Sequence, residues 1–142
     1  MIKQNMVFIE NRAGSLRNVT RLLKEADIDL YGFACFDFPE FAIFRAVCDD
    51  PEKAEEIISR ACYMNRITPV LAVDIEKEAG SLDRVLEVLA ESNVSLDYIY
   101  TAYHRESQIP VVILHSEELS VTESVLKNNG FRMLGDVEEL GR

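Results

Sequence analysis

Positive charge is scarce in this sequence. Fifteen lysines and arginines stand against twenty-five aspartates and glutamates, giving a formal net charge of -10 and a pI near 4.6. So acidic a chain does not neutralise phosphates, which excludes nucleic acid and anionic membrane as partners. Long apolar runs are also missing. None approaches the roughly 18 residues that span a bilayer, and the run Met6 to Ile9 is too short for a signal peptide. Cysteine is limited to Cys35, Cys48 and Cys62, an odd number never closer than 13 positions. That spacing supports neither a disulfide framework nor a zinc site and leads to an expectation of buried, reduced thiols in a cytoplasmic protein. The only histidines, His104 and His115, have no second ligand at metal-binding spacing, so structural or surface roles are expected and no metal. No G-x-S-x-G, C-x-x-C, P-loop or G-x-G-x-x-G occurs.

What is present is a repeat. Glu10-Asn-Arg-Ala-Gly-Ser-Leu16 returns as Glu76-Lys-Glu-Ala-Gly-Ser-Leu82, an offset of 66, and nine of the 21 positions from 10 to 30 are identical in the second copy. Val19, Leu23 and Leu30 match Val85, Leu89 and Leu96. Two copies fall short of a solenoid, so two tandem domains are expected, residues 1–68 and 69–142, meeting at Thr68-Pro69 with almost no linker. At 142 residues and 16.2 kDa, each is very small.

Each copy reads as β-α-β-β-α-β. In the first, the apolar strand Met6 to Glu10 leads to a turn at Ala13-Gly14, and Ser15 is a candidate helix N-cap. Leu16, Val19, Leu22, Leu23 and Ala26 recur at helical spacing. Ile28 to Phe36 and Phe41 to Cys48 read as strands around a hairpin at Phe38-Pro39-Glu40. Asp50-Pro51-Glu52 starts a helix, with Asp as cap and Pro in the first turn. A strand over Tyr63 to Ile67 closes the copy. The second copy gives strands at Leu71–Ile75, Val94–Tyr103, Val111–Leu114 and Phe131–Leu134. Its helices start at Ser81 and near Ser120, where Glu123 completes a capping box. The fold class is therefore α+β, two tandem ferredoxin-like units, each an antiparallel four-stranded sheet with two helices. Met6-Val-Phe-Ile9, Val70-Leu-Ala-Val73 and Val111-Val-Ile-Leu114 do not alternate and read as strands buried on both faces. Two helices cover one face of a sheet, so a homodimer or larger homo-oligomer is expected.

Enzymes and binders of this topology can be tested against the residues. The loop Asn11-Arg-Ala-Gly14 lacks the paired cysteines of a metal chaperone. The strands lack the basic-aromatic signatures of an RNA-binding module. Arg12 alone does not make an acylphosphatase. Asp49-Asp50 and Glu55-Glu56 read as solvated acids and not as a catalytic carboxylate pair. No catalytic residue and no cofactor are expected.

The recurring turn is the informative element. A strand that turns on glycine into a helix leaves backbone N–H groups pointing outward at the positive end of the dipole. That geometry can receive a carboxylate, at roughly 0.3 to 2 kcal/mol per charge from the dipole. Gly14 and Gly80 offer no side chain to obstruct it.

Glu10-Asn-Arg-Ala-Gly-Ser-Leu-Arg-Asn-Val19, followed by Ala26-Asp-Ile-Asp-Leu30, resembles the ACT domain. That small regulatory module opens with a strand, an Asn-x-Pro-Gly-like turn and a helix before its second strand. The opening is similar to that of the acetolactate synthase small subunit. Both copies match, and the chain resembles the free-standing tandem ACT proteins of bacteria. The resemblance implies a non-catalytic regulatory or sensor protein that binds a free amino acid at an interface between ACT units. Carried to this chain, the binding positions are Asn11, Arg12, Ala13, Gly14, Ser15, Leu16, Asp29 and Leu30. A possible second site comprises Ala79, Gly80, Ser81, Leu82 and Ser95. The turn N–H groups and Arg12 would take the carboxylate, and Asp29 with the Asn11 oxygen the ammonium. Departures are Ala13 and Ala79 in place of proline, Lys77 opposite Asn11, and Ser95 opposite Asp29. Residues 1–68 carry a net charge of -2 and residues 69–142 carry -8, which favours the first turn for an anion. The alternative is a ligand-independent interaction module, or a regulatory subunit of an amino-acid biosynthetic enzyme such as acetolactate synthase.

Overall fold

The computed structural model describes residues 1–142. Residues 3–68 form one compact unit, and residues 69–142 together with 1–2 form the other. The elements in chain order are β1 (Ile2–Glu10), α1 (Ser15–Glu25), β2 (Leu30–Asp37), β3 (Phe41–Cys48), α2 (Pro51–Arg60), β4 (Asn65–Asp74), α3 (Ser81–Glu91), β5 (Tyr98–Tyr103), β6 (Pro110–His115) and α4 (Leu119–Asn128). A 3-10 turn, Val137–Gly141, ends the chain.

In the unit of residues 3–68, β3 lies between β1 and β2, antiparallel to both, with Val7 opposite Phe44 and Phe33 opposite Ala46. Val7, Ile9, Phe44 and Ala46 face inward against Val19 and Leu23 of α1 and against Ala54 and Ile58 of α2. Removing such side chains from water contributes about 1.5 to 3 kcal/mol each for the larger ones. In the other unit β6 takes the central place, antiparallel to β4 and β5, with Leu71 opposite Leu114 and Tyr100 opposite Ile113. Leu71, Val73, Val112 and Leu114 pack on Val85, Leu89 and Leu126. The α+β content and the repeat of strand, helix, two strands and helix follow the expectation.

The expectation of two four-stranded sheets does not hold. The chain has six strands where eight were expected. Residues 65–74 form one strand that runs through Thr68-Pro69, so the last strand of one copy is the first of the next. Residues 131–134 form only a single bridge, Val73 to Met133, with flanking hydrogen bonds from Asp74 N to Arg132 O and from Leu134 N to Ala72 O.

Helix starts separate into two kinds. Asp50 caps α2 as expected, accepting from Lys53 N at 3.1 Å. Ser15 is not a cap; it is the first helical residue of α1, and Gly14 precedes it in the left-handed region at φ 84°. The Ser120–Glu123 capping box is not formed either. Helix α4 starts from Glu118, and Glu123 instead accepts from the Met1 ammonium and lies 3.4 Å from Lys127. The Glu123 carboxyl is partly desolvated, yet these two cations bring its pKa below the ordinary glutamate value.

Helix ends are all alike. Asp27, Cys62, Asn93 and Gly130 take positive φ just past the four helices. In each case the N–H of the following residue returns to a carbonyl five positions back, as in Ile28 to Leu23 at 3.0 Å and Val94 to Leu89 at 2.9 Å. This is the Schellman closure, and it consumes the last helical carbonyls. It also explains why β2 begins at Leu30 and β5 at Tyr98, later than the apolar runs suggest. The residues after each helix are spent on closing it.

The thiols divide unexpectedly. Only Cys48 is buried, while Cys35 and Cys62 are exposed. Cys35 lies on β2 opposite Phe44, and Cys62 occupies a helix-closing turn. All three are free.

Candidate functional site

Both repeat turns have the same backbone. Gly14 and Gly80 sit at φ 84° and 89°, and neither helix N-terminus has a side-chain cap. Asn18 N reaches Gly14 O, and Arg84 N reaches Gly80 O, each at 3.0 Å. The N–H of Ser15 is occupied by Arg12 O at 3.2 Å, whereas Leu16 and Arg17 N–H have no partner in the chain. Leu82 and Asp83 stand in the same position in the second unit. A Cβ added at Gly14 or Gly80 would meet nothing within 4 Å. Glycine is therefore required here by its positive φ, and the space over the turn is open.

The side chains around the two turns differ. Asn11 Nδ2 donates to Phe38 O at 3.0 Å, tying the first turn to the β2–β3 hairpin. Lys77, its equivalent, donates to Ser107 O at 2.9 Å and ties the second turn to the β5–β6 hairpin. Arg12 is committed to Glu10, with Nε 2.9 Å from Oε2. At the second turn, Lys77 has only a neutral carbonyl partner, and the Arg84 guanidinium lies over the Phe131 ring at 5.6 Å. Neither forms an ion pair.

These two cations line a cleft of about 430 Å³ with Ser81, Ile109 and Arg132, beside the open N-terminus of α3. Its floor is a hydrogen-bonded network. His104, at 5% exposure, holds Asp74 Oδ1 through Nε2 at 2.6 Å and faces Glu139 O through Nδ1 at 3.0 Å. Arg132 bridges Asp74 Oδ2 at 2.5 Å and Glu139 Oε2 at 3.2 Å. The corresponding cleft of the first unit, about 320 Å³, is mostly apolar, with Phe8, Phe41, Tyr63 and Met64 around Glu10. Sequence reasoning missed Arg84 and this network. The signal available was Asp74, an acid directly after the apolar run Val70 to Val73.

The structure does not bring Asp29 and Leu30 to the turn of their own unit. They follow α1, whose 11 residues span about 16 Å at 1.5 Å per residue. Asp29 N donates to Asp49 Oδ1 at 3.0 Å, and both acids line a second cleft with Thr20, Lys24, Asp27 and Leu30. Ser95 lies in the equivalent place beyond α3, with Asp97, Glu117 and Glu118. Each unit therefore has uncapped helix N–H groups at its turn and acidic side chains at the opposite end. His115 Nδ1 lies 2.8 Å from Asp97 at that acidic end, stacked on Tyr98. No group of three or more His, Cys, Asp or Glu is placed to hold a metal ion, and no helix is long and apolar enough to cross a membrane.

Comparison with known proteins follows the same lines. The family model described as an ACT domain pair matches residues 1–138. A solved protein from Bacteroides thetaiotaomicron aligns over 98% of this chain and 94% of its own, at 26% identity and a TM-score of 0.86. The regulatory subunit of aspartate kinase from Thermus thermophilus, in its ligand-free form, shares the fold at a TM-score of 0.61 and 13% identity, over 90% of this chain and 91% of its own. The counterpart from Thermus flavus aligns at 0.55 and 12%, over 89% and 91%. No curated protein matches the chain.

Proposed function

The chain belongs to the ACT domain-pair family, and from that premise we propose that it is a non-catalytic regulatory protein whose two ACT units, residues 1–68 and 69–142, sense a free amino acid. The observation that carries this is the cleft at the second turn. There Lys77 and Arg84, neither of which forms an ion pair, line an open cleft with Ser81, the first residue of the uncapped helix α3, and with the acids Asp74 and Glu76. A carboxylate placed there gains the helix dipole and two charge-assisted hydrogen bonds. The total charge of each half favours the first turn, but charge acts locally. Arg12 is neutralised by Glu10, so Asn11, Ala13, Gly14, Ser15 and Leu16 offer an anion little beyond the backbone.

An α-amino acid keeps its carboxylate and ammonium a few ångströms apart. One unit separates its turn from its acidic end by the whole length of α1, about 16 Å. The ligand therefore takes its carboxylate contacts from the turn of one chain and its ammonium contacts, Asp29 foremost, from the acidic end of another. Such a protein works by changing its assembly, and a biosynthetic enzyme is the natural recipient of that change.

A thermal-shift screen against the twenty amino acids tests this. Ligand at about 100 times its dissociation constant adds about 2.7 kcal/mol to native stability, which raises the melting temperature roughly 5 to 10 °C. Lys77→Ala with Arg84→Ala removes the shift. If Arg12→Ala removes it instead, the first turn is the site. If no amino acid shifts melting at millimolar concentration, ligand sensing is wrong and the second reading, an interaction module, takes its place. One observation favours that second reading: Phe33, Phe36, Phe38 and Phe41 are all substantially exposed, Phe33 at 62%.

A further inference from the structure

His104 faces an acceptor through each of its ring nitrogens. Nδ1 stands 3.0 Å from Glu139 O, a main-chain carbonyl with no hydrogen to give. Nε2 stands 2.6 Å from Asp74 Oδ1, and the other oxygen of that carboxylate is held by Arg132 Nη1 at 2.5 Å. All four residues belong to the unit of residues 69–142. A neutral imidazole carries one N–H and one lone pair, so it serves only one of these two partners. The second contact needs one more proton. With Arg132 seated on the carboxylate, that proton belongs on the ring. On Asp74 instead, it would leave the network with the same number of protons.

We propose that His104 is a proton-operated latch on the 3-10 turn Val137–Gly141. With hydrogen on both nitrogens, the ring ties the turn to Asp74 at the end of β4. When one proton passes to water, the remaining hydrogen stays at Nε2, because a bond to an ionised acceptor is about twice as strong as one to a neutral carbonyl. Nδ1 then turns a lone pair toward Glu139 O, and in so enclosed a place that contact is repulsive. The turn is built to move as one piece. Glu139 Oε1 accepts from Gly135 N, and Asp136 Oδ1 from Glu138 N, each at 2.9 Å, so its internal bonds do not depend on the ring. Its remaining main-chain tie is Arg105 N to Leu140 O at 2.7 Å, beside the buried side chains of Val137 and Leu140. Other charges reach the ring indirectly. Arg132 acts through Asp74, the Glu139 carboxylate is turned to Arg132 and Gly135 N, and Arg105 and Glu106 of the ring's own hairpin are exposed. The closed turn thus holds one proton more than the open one. Acid favours closure, and the closed-to-open ratio falls by up to about tenfold per pH unit as the ring titrates. The latch works with or without a ligand in the cleft whose floor it forms.

Nuclear magnetic resonance of the full chain from about pH 5 to about pH 8 tests it. Ring nitrogen shifts of His104 count its hydrogens, and hydrogen exchange of the Arg105 amide, corrected for intrinsic exchange, reports closure of the turn. The two are expected to fall together as pH rises, while the amides of β6 keep their protection. Asp74→Asn offers an amide N–H to Nε2, so a neutral ring satisfies both neighbours and Arg105 protection becomes independent of pH. Should that variant not fold, His104→Gln has no proton to lose and flattens the profile in the same way. A protected Arg105 amide beside a singly protonated ring overturns the latch. So does protection in the native chain that is indifferent to pH, or a pH dependence that survives in either variant.

Discussion

Replacing Asp74 by alanine provides the sharpest test of the floor beneath the second turn. Asp74 is nearly buried and accepts two short hydrogen bonds, from His104 Nε2 at 2.6 Å and Arg132 Nη1 at 2.5 Å. A hydrogen bond to a charged group contributes about 1.5 to 3 kcal/mol, and a buried polar atom left without a partner costs about 1 to 3 kcal/mol. The Arg132 bond is discounted heavily, because that side chain is 63% exposed and water replaces the lost partner. The His104 bond is not, since its ring is almost wholly enclosed. Asp74→Ala should therefore cost about 3 kcal/mol, Asp74→Asn about half as much because one oxygen remains, and Arg132→Ala less than about 1 kcal/mol. Urea unfolding followed by circular dichroism measures all three, and a 3 kcal/mol loss is a large share of the 5 to 15 kcal/mol typical of a domain. The 3-10 turn should loosen as well, since Glu139 is held through His104 and Arg132. Equal losses for Arg132→Ala and Asp74→Ala would refute the ranking by burial.

Further outcomes follow from the thiols and the helix ends. Burial foremost, with Asp49, Asp50 and Glu52 adding to it, pushes the Cys48 thiol up to about 12. In native protein at pH 8, a thiol reagent should therefore titrate Cys35 and Cys62 but not Cys48, and all three in denaturant. Because the folded value lies above the unfolded 9.0, Cys48 contributes stability in full below pH 9 and loses it progressively toward pH 12. Cys48→Ala should flatten alkaline unfolding in that window. Cys62→Gly should raise stability by about 0.5 to 1 kcal/mol, since a non-glycine residue at φ 68° is strained and this exposed side chain packs on little. A lower melting temperature for that variant would show that the strain is absorbed elsewhere.

The backbone of the site was legible because glycine at a strand-to-helix turn has few uses, and its return 66 residues later fixed both turns at once. The helix cores were legible for a related reason, Val19 and Leu23 sharing their spacing with Val85 and Leu89. The junction was not. Pro69 signals a break in most chains, yet here it sits inside a ten-residue strand. Nor was the local charge balance legible. Arg12 and Lys77 look alike as cations until the fold gives one a glutamate 2.9 Å away and the other only a carbonyl. Motif spacing hid distance as well, because Gly14 and Asp29 are neighbours in the repeat but lie at opposite poles of a rigid helix. The buried His104 was read only as structural or surface, since nothing in its flanking residues points to Asp74, 30 positions earlier.

The Schellman closures carry a consequence for how such a protein diverges. At the turn end, what greets a solute is main chain, and main chain is indifferent to the identity of most side chains on it. Drift in the residues around Gly14 or Gly80 leaves the N–H groups in place so long as the positive φ survives, so this open backbone is hard to lose by point substitution. At the opposite end the helical carbonyls are already spoken for by Ile28 and Val94 N–H. What remains there is side chain: Asp29 and Asp49 beside Lys24 in one unit, and Asp97 in the other, where Ser95 stands opposite Asp29. Each of these can be lost by a single base change. The side-chain chemistry at one pole is thus free to wander while the backbone at the other stays conservative, and a lineage can remake the first without rebuilding its fold.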